Sequence, residues 1–209
     1  MTSSKWVKSE SVLNEDNVAL PKPGGPLKPR LDAIHRKIQV QICKLEELHS
    51  QQRAKDSEAM KKLSTAVKEN NVQHCAMLSG ELAQGRLVSR VLELSKVALE
   101  KLLARIISVS DFADLVVVLS PAMAVVKNLR SSLASYVPEV ENDFGVISEL
   151  LSGILVDAGQ VGGYTINFET ANEEAMRFID EASLVVDQKM KDELPGIPGI
   201  SDLAHHVAG

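Results

Sequence analysis

The chain has 209 residues, 44% hydrophobic but only 3% aromatic, and a net charge of −5. Its apolar content is almost all Leu, Val, Ile and Ala, which favours an elongated helical unit or coiled coil over an ordinary globular domain. No stretch approaches 18 uninterrupted apolar residues and the N-terminus carries no signal-peptide hydrophobic region, so the sequence predicts no transmembrane span. Charge is unevenly shared. Residues 1–138 carry 20 Lys and Arg against 14 Asp and Glu, a net of +6, whereas residues 139–209 carry 3 against 14, a net of −11. A basic working surface with an acidic tail able to fold back on it is one reading, and two solvated faces of opposite sign is the other.

Residues 1–29 read as a polar leader followed by a proline-rich linker between Pro21 and Pro29. Trp6, flanked by Lys5 and Lys8, suits a membrane interface, or is an incidental aromatic in a Ser-rich leader. From Leu31 an apolar stripe through Ile34, Ile38, Ile42, Leu45, Leu48, Met60, Leu63 and Val67 predicts one very long helix, free of proline and glycine to residue 69. Asn70-Asn71 is a turn pair tolerant of left-handed backbone. A second stripe through Leu78, Leu82, Val88, Leu92, Leu99, Leu102, Ile106 and Val109 predicts a second long helix folded back on the first. Rods on the order of 60 Å long cannot wrap a round core, so they pack on each other or on other chains. Cys43 and Cys75, inside these helices at non-motif spacing, read as reduced structural residues at similar depths of the hairpin.

At about 100° per residue, Arg30, Lys37, Lys44, Lys55 and Lys62 fall within a sector of about 40° on the first helix. Such a rail suits a flat anionic surface, weakly for one copy and well for many in a polymer. It equally describes a solvated face. Nucleic acid is not an expected partner, because aromatics to stack on bases and a reading motif are both missing.

The stretch 111–136 continues as helix but holds Pro121, which predicts a kink or joint at Ser120-Pro121, either a conformational switch or a static corner. After Pro138, an acidic helix presents Val140, Phe144, Ile147, Leu150, Leu151, Ile154 and Leu155 on one face. Gly159–Gly163 reads as a flexible break. A last helix spans about Thr170 to Glu193, with Thr170 and Glu173 at capping-box spacing and an apolar face of Ala175, Phe178, Ile179, Ala182, Val185, Val186 and Met190. The predicted fold is therefore all-α: a long antiparallel hairpin followed by shorter helices, the acidic C-terminal ones able either to fold back on it or to extend. Its divisions are 1–29, a helical core 30–158, a linker 159–169 and an acidic helix with tail 170–209.

No phosphate loop, nucleophile elbow or metal-ligand cluster is legible, so no enzyme activity, cofactor or metal is expected. His205-His206 lacks partners for a site, and His35, His49 and His74 read as solvent-facing or packing residues. The runs "GPLKPRLDAIHRKIQVQICKLEEL", "LSGELAQGRLVSRVLELSKVALEKLLARI", "VVVLSPAMAVVKNLRSSL" and "VPEVENDFGVISELLSGIL", in that order, resemble an archaeal ESCRT-III homologue of the CdvB cell-division group, similar to the eukaryotic charged multivesicular body proteins. The resemblance covers about residues 26–193. It implies a scaffold that polymerises with itself or with paralogues on the cytoplasmic face of an anionic membrane at the division site and constricts it. It also implies a closed form with acidic helices on the core and an open form with extended helices. An AAA ATPase partner is implied too, its docking motif resembled by Leu194, Pro195, Ile197, Pro198 and Ile200, although Pro195 and Pro198 alternatively just end the last helix. Some relatives carry a C-terminal winged-helix segment, for which the 16 residues after Glu193 leave no room. The competing class is a soluble helical adaptor or coiled-coil scaffold without membrane activity.

Overall fold

The computed structural model describes residues 27–108, 112–162, 167–194 and 196–197. Five α-helices follow one another there: α1 (Leu27–Lys68), α2 (Val72–Ile107), α3 (Phe112–Ala134), α4 (Glu141–Gly162) and α5 (Phe168–Glu193), with a 3₁₀ turn at Pro138–Val140 leading into α4. At 1.5 Å per residue, the 42 residues of α1 make a rod of about 63 Å. Pro29 sits in its first turn, where the missing N–H has no intrahelical partner to lose.

The predicted turn is where the hairpin folds. Asn70 takes φ 53°, a left-handed conformation that asparagine tolerates, and the Asn71 side chain accepts a hydrogen bond from the His74 N–H at 3.1 Å, capping α2. From there α1 and α2 zip up in a fixed register. Lys96–Glu46, His49–Glu93 and Arg86–Asp56 pair at 2.5, 3.1 and 3.1 Å, each pair equidistant in sequence from Asn71. That register corrects the expectation for the cysteines. Cys43 lies far down the hairpin and Cys75 next to the turn, about 36 Å apart along the axis at helical rise; both are free, Cys43 exposed and Cys75 buried.

The core lies at the end of the hairpin away from the turn. Ile34, Ile38 and Leu45 of α1 and Leu92, Leu99, Leu102 and Ile106 of α2 meet Leu115, Leu119, Val126 and Leu133 of α3, with Phe144, Ile147, Leu151 and Ile154 of α4 and Phe178 of α5. Here α3 is central, packed on α2, α4 and α5, while α4 also lies along α1 and α5 along α2. Near the turn α1 and α2 form a separate cluster of Ala59, Leu63, Ala66, Cys75, Leu78 and Leu82, against which Ile197 packs.

Several boundaries differ from expectation. α3 runs unbroken through Pro121, and the Ser120 hydroxyl donates to the Val116 carbonyl at 2.9 Å; the helix boundary falls at Ile107–Phe112 instead, before the apolar run rather than at its proline. By length and mean hydropathy (1.2), Asp114–Ala134 does reach the character of a membrane span. Its apolar stripe of Leu115, Leu119, Val126 and Leu133 is spent on the protein core. α4 continues past Gly159 to Gly162, since glycine weakens a helix without ending it. The cap of α5 is Asn167, whose side chain accepts from the N–H groups of Glu169 and Thr170, so the Thr170–Glu173 spacing is not the start signal.

Candidate functional site: a basic hairpin under acidic helices

The apolar stripe of α1 has a gap between Leu48 and Met60, and polar residues fill it. His49 and Asp56 are buried there against Glu93 and Arg86 of α2. Glu93 is the centre of the group at 1% exposed. Lys189 of α5 reaches its Oε1 at 2.5 Å, while Lys96 and His49 stand 3.0 and 3.1 Å from its Oε2. Burial pushes the Glu93 carboxyl up, but the pull of His49, Lys189 and Lys96 more than offsets this and holds it well below the usual carboxylate range. Burial likewise lowers the Lys96 ammonium, and its bonds to Glu46 and Glu93 outweigh that and raise it. Glu46 is lowered in turn by the hydrogen bond from Lys96.

α5 docks over this group through charge. Besides Lys189, Asp187 takes Arg90 at 2.7 Å, Ser183 accepts from the same guanidinium at 2.7 Å, Glu193 takes Arg53 at 2.9 Å and Glu181 takes Lys101 at 3.4 Å. Hydrogen bonding between Arg90 and Asp187 raises the first and lowers the second, so both stay charged. Phe178 supplies the main apolar contact, with Arg105 5.2 Å from its ring centroid. α4 is fastened to α1 by Arg30–Asp157 and by Lys44–Asp143 at 2.8 Å.

These contacts divide the predicted rail. Arg30 is buried against Asp157 and Lys44 is engaged by Asp143, so in this arrangement neither faces outward alone. Lys55 and Lys62 are exposed on the part of α1 that no acidic helix covers, Lys62 pairing with Glu58 of its own helix at 2.8 Å, which raises the lysine and lowers the glutamate. Lys37 is half-buried. Trp6 lies outside the described residues, as do Pro195, Pro198 and Ile200. Leu194 lines a shallow cleft with Arg86, Asp187 and Met190, and Ile197 packs on the apolar cluster near the turn. Of the run Val116–Leu119 that offered itself for contacts between subunits, Val116 and Leu119 are buried and Val117 is exposed.

Sequence reasoning missed the Glu93 group altogether. Ligand atoms of Glu46, His49 and Glu93 lie within 4.8 Å of one another, a spacing compatible with a metal ion. The ammonium of Lys96 already occupies the ground between the two carboxylates, at 2.5 and 3.0 Å. The group is therefore a network of ion pairs joining α1, α2 and α5.

Cell division protein B1 of Sulfolobus acidocaldarius is 28% identical over 181 residues, covering 87% of this chain and 85% of that protein. Cell division protein B of the same organism is 22% identical over 172 residues, covering 82% of this chain and 66% of that protein. No protein-family model and no solved structure matches the chain. Similarity along most of its length makes this all-helical chain a homologue of these two CdvB-type cell division proteins.

Proposed function

We propose that the chain is a filament-forming scaffold of archaeal cell division, assembling with itself or with paralogues on the anionic inner face of the membrane, and that the arrangement described is its closed form. One observation carries this reading: cations of the hairpin are met by carboxylates of the acidic C-terminal helices, α5 on α2 and α1, α4 on α1. An anionic leaflet offers the same chemistry as those carboxylates. It attracts each nearby Lys or Arg by about 1 kcal/mol, too little for one copy to displace the acidic helices and enough for a polymer. Release of α5 would free Arg53, Arg90 and Lys101 and uncover the apolar surface beneath Phe178 and Val186. The names of the relatives support the division role, and a scaffold rather than a catalyst accords with them. The tail from Leu194 onward remains our candidate for docking an AAA ATPase, and α3 at Ser120-Pro121 our candidate for the place where an opened form straightens or bends.

Co-sedimentation with vesicles containing anionic lipid, followed by electron microscopy, tests the reading with the full chain and with a chain ending after Gly162. The shortened chain binds more tightly and forms filaments more readily, and binding weakens as salt rises. A full chain and a shortened chain that both stay monomeric and indifferent to lipid would support the soluble adaptor instead.

A further inference from the structure

The cations that α5 covers on α2 form a row of their own. At about 100° per residue, Arg90, Lys101 and Arg105 fall within a sector of about 60°, with the partly buried Leu94 and Val97 between them. From Arg90 to Arg105 the row is about 22 Å long. Each of its cations is met from α5: Arg90 by Asp187 at 2.7 Å, Lys101 by Glu181 at 3.4 Å, and Arg105 by the ring of Phe178, 5.2 Å from the centroid. Release of α5 takes all three partners away at once. The carboxylates at the edge of the row are Glu93, which keeps Lys96 and His49 of the hairpin, and the exposed Glu100.

The row on α1 responds differently. Arg30 pairs with Asp157 of α4, Lys44 with Asp143 of α4 at 2.8 Å, and Lys62 with Glu58 of its own helix at 2.8 Å. None of these carboxylates belongs to α5. Arg30 is also lodged against α4, its Nη2 only 3.1 Å from where a side chain at Gly153 would begin. Of α1, Arg53 is held by α5, through Glu193 at 2.9 Å. Departure of α5 thus uncovers the row on α2 and leaves Arg30, Lys44 and Lys62 engaged.

We propose that the anionic membrane is met by this face of α2, through Arg90, Lys101 and Arg105 with Leu94 and Val97 between them, and that the leaflet takes the place of α5 there. This rests on the membrane reading and the release of α5 put forward above. α5 and an anionic leaflet offer the row the same chemistry. Both set negative groups beside an apolar layer, carboxylates with Phe178 in the helix and headgroups with acyl chains in the bilayer. Long basic side chains keep their charge among headgroups while their stems and the residues between them reach the apolar boundary. Both cannot occupy the face together, so lipid and α5 compete for it.

The test is co-sedimentation of the full chain with vesicles of phosphatidylglycerol and phosphatidylcholine, on variants that break the same contacts from opposite sides. Glu181→Gln with Asp187→Asn loosens α5 and leaves the row intact, so binding tightens relative to the parent. Adding Arg90→Gln, Lys101→Gln and Arg105→Gln to that chain removes the row itself, and binding falls on the order of a hundredfold, at about fivefold per cation. Two variants match these changes in charge elsewhere: Glu139→Gln with Glu149→Gln on α4, and Lys37→Gln with Lys55→Gln and Lys62→Gln on α1. Each moves binding less than its counterpart. Undiminished binding without the α2 row overturns the assignment, as does an equal loss from the α1 variant. Self-association of the loosened chain without lipid, lost with the row while vesicle binding stays, overturns it in favour of a second copy on this face. If neither the parent nor any variant binds anionic vesicles, the membrane reading fails together with it. Should the chain without the row not fold, Lys101→Gln in the parent decides, since its partner Glu181 is 66% exposed and the fold depends little on that pair. Binding about fivefold weaker supports the assignment, and unchanged binding overturns it.

Discussion

α4 and α5 are both acidic helices laid back on the same hairpin, yet they are held by different forces. α4 buries Phe144, Ile147, Leu151, Ile154 and Leu155; α5 buries Phe178 and Val186 with Ala171, Ala175 and Ala182. At about 1.5–3 kcal/mol for each large apolar side chain, burial contributes on the order of 10 kcal/mol to α4 and less than half of that to α5. α5 compensates with carboxylates and an ammonium aimed at Arg53, Arg90, Lys101 and Glu93. Attachment by apolar burial is insensitive to salt, whereas attachment by partly exposed charge answers to salt, to competing anions and to pH. α4 is thus held mainly by burial and α5 to a larger degree by charge.

The strongest way to break that contrast is Phe144→Ala, which empties a fully buried site in α4. It destabilises the whole chain by about 3–5 kcal/mol, read as one cooperative shift of the urea midpoint, because α4 shares its core with α1 and α3. A loss confined to α4, with the rest unfolding at its old midpoint, would show that α4 is the detachable helix after all.

Acid gives the next largest effect. The folded Glu93 carboxyl lies below its ordinary value of 4.5, so the stability it contributes is complete above that value and drains away as pH falls through it toward the folded value. Stability measured from pH 6 down to pH 3 should fall more steeply in the parent chain than in Glu93→Gln, which is less stable at pH 6 by about 2–4 kcal/mol through the cations it leaves unpaired. Parallel curves would mean that Glu93 has no special place in the fold.

Lys189→Met is smaller and local. Glu93 keeps Lys96 and His49, so the loss is about 1–2 kcal/mol, appearing as faster hydrogen exchange along α5 with α4 unchanged. Equal acceleration in both helices would erase the distinction between them.

How much of this was legible in the sequence follows from the same division of forces. Periodic Leu and Ile announce the hairpin, and Asn70-Asn71 announces its turn, because local propensity and pattern agree there. α3 is harder to place: the stretch from 111 reads as a continuation of the second helix with a joint at Pro121, whereas α2 ends at Ile107 and α3 starts at Phe112, a boundary that carries no proline or glycine. The Glu93 group is hidden because Glu46, His49, Glu93 and Lys96 form no local motif and meet only across the two helices. Two signs did exist. The apolar stripe of α1 lapses between Leu48 and Met60, and the residues in that gap face opposite charges at equal distances from Asn71. No local pattern says that Lys189, far along the chain, completes the group.

The finest discrimination between the helices comes from Asp187→Asn. Asp187 is 44% exposed and Arg90 38%, so water screens their pair despite its 2.7 Å contact. A pair of that exposure is worth about 0.5 kcal/mol, and Ser183 keeps one bond to the guanidinium. The expected outcome is a barely moved urea midpoint, with α5 exchange about twofold faster at low salt and the difference gone near 0.5 M, where screening is short-ranged. Lys44→Gln against Asp143 of α4, comparably exposed at 37% and 46%, is the matched control. Its loss leaves α4 exchange unchanged, because the apolar face beneath holds that helix without it. Equal salt-dependent loosening of both helices would mean that burial beneath α4 contributes less than its area implies.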